Sequence, residues 1–271
     1  MKSQKVTDTK PQVRLNRSKK VSSGSKQNFL IPTAILLSIT ILGIGLFLFA
    51  KKSGLLSDSE TKTTIAEQPI SAEVQTEINI LLQTHRDLSP MIGSYPPTIP
   101  PGSDRGAVES LFLTVTSARE KFISEKAATL NNRERYELYV LLGDLFRLGH
   151  NLDLEGSWEK SEFYLLQAID IQPGRFEAKD TLGVLYVNTG PPYTEEAEAI
   201  FIELLQTELS DEYRVHVLQG LFFAHYYQLE IDLAIEALDK SLAIDPTNEK
   251  SAAMKKMAIG SRYYDASGNE K

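Results

Sequence analysis

Four histidines are the side chains of this sequence best suited to chemistry near neutral pH, because imidazole both transfers protons and binds metals. They are His85, His150, His216 and His225. His216 and His225 lie nine residues apart, which puts them on different sides of one predicted helix, where they cannot share an ion. The sequence has no linear motif of a zinc protease, a phosphate-binding loop or a serine hydrolase. We therefore predict no catalytic, metal-binding or cofactor-binding residue, although a site assembled from distant residues would leave no such motif.

Adjacent carboxylates are the other candidates for acid–base chemistry. Glu195-Glu196 and Asp211-Glu212 both fall where we predict a helix to begin. Negative charge there complements the partial positive charge of the helix N-terminus. No nucleophile is paired with them in the sequence, so a structural role is favoured over general acid or base catalysis.

The elements that must position these side chains come from a near-repeat in the second half of the chain. Three segments share one spacing: Tyr139-x-x-Leu142-Gly143-x-x-Phe146, Lys179-x-x-Leu182-Gly183-x-x-Tyr186 and Leu218-x-x-Leu221-Phe222-x-x-His225. A second amphipathic stretch follows each, with a small residue four positions before a large one: Ser161/Leu165, Ala197/Phe201 and Ala234/Leu238. A repeated helix pair cannot bury its apolar face alone, so we expect the copies to stack.

These segments resemble tetratricopeptide repeats (TPRs), whose pattern is W-x2-L-G-x2-Y, then A-x3-F, then P. The resemblance covers about 133–247, and Pro173 and Pro246 close two of the three units. Phe222 and His225 replace the glycine and tyrosine of the pattern in the third unit. The glycine positions are 40 and 39 residues apart against a family period of about 34, so we place the extra residues in turns. The resemblance implies an all-α fold, with α-α hairpins stacked in a short right-handed TPR-like solenoid.

The family binds peptides in a concave groove lined by the first helix of each pair. Carrying its groove positions onto this sequence marks three sets that each obey i, i+4, i+7 spacing and so share one helical face. The candidate peptide-binding residues are Val140, Asp144, Arg147, Asp180, Val184, Val187, Asn188, Gln219, Phe223, Tyr226 and Tyr227.

Acidic residues replace the Lys and Asn that chaperone-binding members of the family use to clamp a terminal carboxylate. Glu137 and Glu177 lie near Asp144 and Asp180 at this face, so we expect the groove to bind a basic or amphipathic segment instead. Aromatic stripes usually belong to protein cores, and Phe223 and its aromatic neighbours are equally compatible with packing against a capping helix.

The chain divides into six predicted segments, which include about three TPR-like repeats. We predict helices near 71–88, 106–129, 133–148, 157–170, 175–189, 194–208, 211–228, 231–244 and 248–263. The segments are a basic disordered N-terminus (1–28), a transmembrane signal-anchor helix (29–50), a flexible linker (51–70), a divergent helical cap (71–130) with a Pro-rich connector (89–104), the repeats (131–247), and a capping helix with a frayed tail (248–271).

Residues 29–50 form a run of 22 residues without charge, which as a helix spans roughly 33 Å and can cross a bilayer core. A cleaved signal peptide has an apolar stretch of only about 7–15 residues, and a buried core helix of this length would show a polar stripe. Eight Lys or Arg precede the run and only Lys51 and Lys52 follow it closely. The positive-inside rule therefore predicts a cytoplasmic N-terminus and an extracytoplasmic C-terminal domain, either periplasmic or lumenal.

These features predict a membrane-anchored scaffold or assembly factor and no enzyme. The expected partners are membrane-associated proteins and the lipid bilayer, with no nucleic acid and no cofactor. One alternative is a chaperone-like holder of exported or membrane proteins, which would bind many unfolded chains. The other is a subunit of an envelope enzyme complex, which a buried polar cluster within 71–133 would favour.

Overall fold

Every regular element is a helix in the computed structural model of the chain, which describes residues 68–100 and 102–261. The all-α class predicted from the sequence is therefore confirmed for this part. The predicted N-terminal segment (1–28), the transmembrane helix (29–50) and the tail from 262 onward lie outside the described residues. The nine described helices are α1 (Ala72–Ile92), α2 (Arg105–Lys126), α3 (Asn132–Asn151), α4 (Ser157–Ile171), α5 (Glu177–Thr189), α6 (Thr194–Leu205), α7 (Asp211–Tyr227), α8 (Ile231–Ile244) and α9 (Glu249–Ser261).

Polar side chains fix where several of these helices begin. Ser71 and Ser210 accept hydrogen bonds from N–H groups in the first turns of α1 and α7, and Asn131 and Glu134 form a reciprocal capping box at α3. Glu134 also accepts a bond from the Ser71 N–H at 2.8 Å, which ties the start of α1 to the start of α3. Burial alone would raise the pKa of Glu134, but the hydrogen bonds from Ser71 and Asn131 lower it.

Two helices run further than their sequence pattern predicts. We expected α1 to stop near residue 88, before Pro90, but Pro90 lies inside the helix, which ends at Ile92. Proline removes one hydrogen bond where the helix is already ending, and the N–H of Gly93 still donates to the Ser89 carbonyl at 2.8 Å. Similarly, α3 continues to Asn151, so part of the predicted turn insertion lengthens this helix.

Each helix packs against the next one along the chain, and a second set of contacts joins alternate helices. From α2 onward, turns of three to five residues connect consecutive helices, a length typical of antiparallel neighbours. In addition α1 contacts α3, α3 contacts α5, and α5 contacts α7. None of the helices within 68–100 and 102–261 is long and apolar enough to cross a membrane. This packing of adjacent helices is compatible with a helical repeat.

The apolar faces of the helices form two groups of buried side chains. One is built from α1 to α4 and includes Phe112 and Leu142. The other extends from α3 to α9 and includes Phe201 and Leu238. Tyr139 packs against both groups, so the apolar interior is continuous from the first described helix to the last.

Two of the repeated glycines allow paired helices to approach closely. A Cβ on Gly143 would lie 2.8 Å from the Leu165 side chain, and one on Gly183 would lie 2.9 Å from the ring of Phe201. In the third unit, Phe222 occupies the pattern's glycine position. There Gly220 contacts Phe201 instead, and a Cβ on Gly220 would lie 2.5 Å from the Phe201 ring. Phe201 is thus held between glycines of α5 and α7.

Candidate interaction surface

The eleven candidate groove residues divide into a buried set and a partly exposed set. The structure buries Val140, Arg147, Asp180, Val187, Gln219 and Phe223. It leaves Asp144, Val184, Asn188, Tyr226 and Tyr227 partly exposed. Only the second set can contact a partner without rearrangement of the fold.

Phe223 lies in the core of the described helices. Its side chain is 2% exposed, its ring centroid is 5.0 Å from that of Phe222 and 6.2 Å from that of Tyr227, and Met254 of α9 belongs to the same buried group. Truncating a buried phenylalanine to alanine typically costs about 3–5 kcal/mol. Substitution of Phe223 therefore tests packing, and binding must be tested at the exposed positions.

A buried ionic cluster joins α1 to α3 at the first candidate positions. Asp144 Oδ2 lies 2.7 Å from His85 Nε2, and Asp144 Oδ1 lies 2.7 Å from both Arg147 Nε and Arg147 Nη2. Arg147 is 2% exposed, so its charge is compensated inside the protein. Burial alone would raise the pKa of Asp144, but Arg147 and His85 together lower it well below the ordinary value.

Similar polar contacts join α3 to α5. The Tyr136 hydroxyl donates to Glu177 Oε2 at 3.0 Å, and the Asn188 amide donates to Asn151 Oδ1 at 3.3 Å. Burial and then the charge of Glu177 raise the pKa of Tyr136. Asn188 is thus both partly exposed and held in place by its neighbour.

Further along, α5 is joined to α7 and α7 to α9. His216 Nε2 lies 3.1 and 3.2 Å from the two carboxylate oxygens of Asp180, and the Gln219 amide donates to Ser251 Oγ at 2.9 Å. We call this whole series of contacts between alternate helices, from His85 to Ser251, the polar ladder. Several predicted groove residues, notably Arg147, Asp180 and Gln219, are members of it.

The polar ladder includes the kind of buried cluster that would favour an enzyme. Ser89 lies one turn after His85 on α1, and His85 contacts Asp144. These are the residue types of a serine nucleophile site. However, Ser89 is 1% exposed, and its hydroxyl has no hydrogen-bond partner among the described residues. His85 therefore does not hydrogen-bond the Ser89 hydroxyl in this arrangement, and the contact of His85 with Asp144 joins α1 to α3.

The paired carboxylates lie where the sequence places them. Glu195 and Glu196 are in the first turn of α6, and Asp211 and Glu212 are in the first turn of α7. All four are exposed, in keeping with compensation of the helix N-terminus.

The sequence did not predict a cleft on the side of α7 that faces away from the candidate groove residues. This cleft of about 440 Å³ lies between α6 and α8 and is lined by apolar side chains that include Ile202 and Leu233, 40% and 44% exposed respectively. His225 and Glu198 also line it. Sequence spacing relates His225 only to His216. In the structure its neighbours come from α6 and from the turn after α7.

A partly buried lysine is a second feature that the sequence pattern did not indicate. Burial lowers the pKa of Lys250, at the start of α9, to about 8.

No family model, curated protein or solved structure matches the chain.

Proposed function

We propose that this protein is a membrane-anchored scaffold or assembly factor, whose helix pairs form a short TPR-like solenoid that binds a segment of another protein. The proposed anchor is the uncharged run 29–50, with the helical domain on the extracytoplasmic side. We propose that the bound segment is basic or amphipathic. No catalytic step is part of this proposal.

One observation carries the proposal: contacts join the alternate helices α1, α3, α5 and α7 in chain order. This is the order of contacts expected when helix pairs stack, and stacked helix pairs bind extended or helical segments along their shared surface. The polar ladder supports it by fixing the spacing of these helices.

The partly exposed candidates define the proposed contact surface. Val184, Asn188, Tyr226 and Tyr227 combine apolar, aromatic and polar groups, whereas the carboxylate of Asp144 is already held by His85 and Arg147. Residues 53–271 carry 19 basic and 35 acidic side chains, so the domain as a whole attracts positive charge. A basic segment with apolar side chains is therefore the complementary ligand.

Site-specific photo-crosslinking in the native membrane tests the proposal. A photoreactive amino acid is placed at Val184, on the proposed surface, and in a matched protein at Gln167, an exposed position of the second helix of a pair. We expect one or a few discrete adducts from position 184 and none of those from 167. The same adducts from both positions, or adducts from 167 alone, would refute the proposed surface.

The range of captured proteins separates scaffold from chaperone. A scaffold gives the same small set of adducts during balanced growth and during export stress. A chaperone-like holder gives a broad set that increases when unfolded exported chains accumulate. Mass spectrometry of the adducts from position 184 distinguishes these outcomes directly.

A further inference from the structure

A buried histidine faces two carboxylates from different parts of the chain at one end of the α6–α8 cleft. His225 is 7% exposed, and its Nδ1 lies 2.8 Å from Glu230 Oε2 and 3.9 Å from Glu198 Oε2. One ligand atom from each of the three residues lies within 4.8 Å of the other two. The two distances to His225 Nδ1 lie on either side of the roughly 3.4 Å that separates two tetrahedral ligands with bonds of about 2.0–2.2 Å to one ion.

The surrounding structure holds the three side chains in place before any ion binds. Glu198 is in α6, His225 is in the last turn of α7, and Glu230 follows Leu229, whose φ of +64° turns the chain. The Glu230 N–H donates to the His225 carbonyl at 3.0 Å. The Gln228 amide donates to Glu198 Oε2 at 2.8 Å, a supporting bond of the kind that orients metal ligands.

The electrostatics of this cluster differ from those around the other histidines. His85 and His216 each contact the carboxylate of a single aspartate, at 2.7 and 3.1 Å respectively. At His225 two carboxylates converge on one imidazole, and like charges at this separation repel each other. A cation between them would remove that repulsion, and the adjoining cleft, lined by His225 and Glu198, gives it a route from solvent.

We propose that Glu198, His225 and Glu230 form a binding site for a first-row divalent transition metal of the Zn²⁺ type. One nitrogen and two oxygen ligands suit such ions, whereas Mg²⁺ and Ca²⁺ prefer oxygen ligands alone. Three protein ligands leave a fourth position open toward water or a partner's side chain. The ion would join α6, α7 and the turn before α8. The site is independent of the proposed partner surface, which lies on the other side of α7.

The competing explanation is that His225 only completes the end of α7. In that case its hydrogen bond to Glu230 and the nearby Glu198 need no ion, and the protein would have no saturable affinity for Zn²⁺ at this place. The two explanations differ in metal stoichiometry and in the response to removal of one carboxylate charge.

Calorimetric titration of the chelator-treated, full-length protein in detergent micelles with Zn²⁺ tests the proposal. We expect saturable binding of one Zn²⁺ per chain, and Mg²⁺ at equal concentration should not compete with it. Glu230→Gln keeps a hydrogen-bond acceptor for His225 but loses the charge. It should weaken Zn²⁺ binding at least about tenfold, a loss typical even of changes outside the ligand shell. Glu236→Gln, in the same cleft but outside the cluster, is the matched control and should bind as the wild type does.

His225→Gln should abolish this binding of Zn²⁺. Circular dichroism of the variant reports whether its helices persist. Glu230, whose side chain is 42% exposed, provides the decisive variant if His225→Gln unfolds. The absence of saturable Zn²⁺ binding by the wild type, or wild-type affinity for Zn²⁺ in Glu230→Gln, would overturn the metal site while leaving the crosslinking test of the partner surface unaffected.

Discussion

Buried polar side chains set the distances between alternate helices. Arg147 and Asp144 illustrate the balance, because a buried ion pair often contributes little net stability, while loss of one partner strands the other charge in the interior. The i, i+4, i+7 pattern identified the helix face on which these residues lie, but it could not identify what covers that face. His85, which contacts Asp144, lies in α1, outside the repeat-like sequence. For that reason burial of the candidate site was not predictable from periodicity.

Asp144→Asn should destabilise the protein and change its response to acid. At pH 7 we expect a loss of about 3–5 kcal/mol, because buried Arg147 loses its ionised partner. The folded-state pKa of Asp144 lies below the unfolded value of about 3.9. The carboxylate therefore stabilises the fold above about pH 4, and this stabilisation is lost as the pH falls toward the folded pKa.

Urea unfolding of wild type and variant at pH 7 and pH 3 measures this effect. The difference in unfolding free energy should narrow by about 1 kcal/mol at pH 3, where the unfolded wild type is mostly protonated. Asp170→Asn, at an exposed position of α4, is the matched control and should change stability by less than about 0.5 kcal/mol. An undiminished difference at pH 3 would show that Asp144 does not have a lowered pKa.

The positions of the helices could be predicted closely from the sequence, because long amphipathic patterns bounded by caps specify a helix locally. The start of α4 at residue 157 and of α7 at residue 211 match the predicted starts. The ends of α1 and α3 were wrong by several residues, since tertiary contacts decide whether a last turn forms. The close approach at Gly220 was also missed, because the repeat pattern draws attention to Phe222 two residues later.

Gly183→Ala should destabilise the contact between α5 and α6. The added Cβ would lie 2.9 Å from the Phe201 ring, and Gly220 lies against the same ring, so the ring cannot move away. Overpacking costs about 1–3 kcal/mol, and the higher helix propensity of alanine returns up to about 1 kcal/mol. We expect a net loss of about 1–2 kcal/mol in urea unfolding.

Gly260→Ala, in a different helix, provides the control for Gly183→Ala. Gly260 lies in α9, and a Cβ added there would meet no neighbouring group within 4 Å. This variant should therefore have unchanged or slightly raised stability. Adding Phe201→Leu to Gly183→Ala should give less destabilisation than the two single changes summed, because the smaller side chain makes room for the methyl group. Equal stability of the two glycine variants would contradict the proposed close packing.

At the scale of the whole molecule, charge separates the two ends of the chain. Residues 1–52 carry ten basic and one acidic side chain, whereas residues 53–271 carry 19 basic and 35 acidic ones. A tether at 29–50 would confine the helical domain close to a membrane partner, which raises the effective concentration of even a weak binding surface. Anchor, orientation and binding surface therefore act together in the proposed function.

The membrane orientation gives the last prediction. In sealed vesicles with the cytoplasmic side inside, added protease should digest the acidic domain and leave an N-terminal tag protected, because basic residues near the span are retained in the cytoplasm. A variant that lacks the five nearest preceding bases should insert partly in reverse, since Lys51 and Lys52 then carry the only nearby positive charge. Those five are Arg14, Arg17, Lys19, Lys20 and Lys26. Replacing Lys51 and Lys52 instead should leave the orientation unchanged. Protection of the acidic domain in the wild type would place it in the cytoplasm and reverse the assignment.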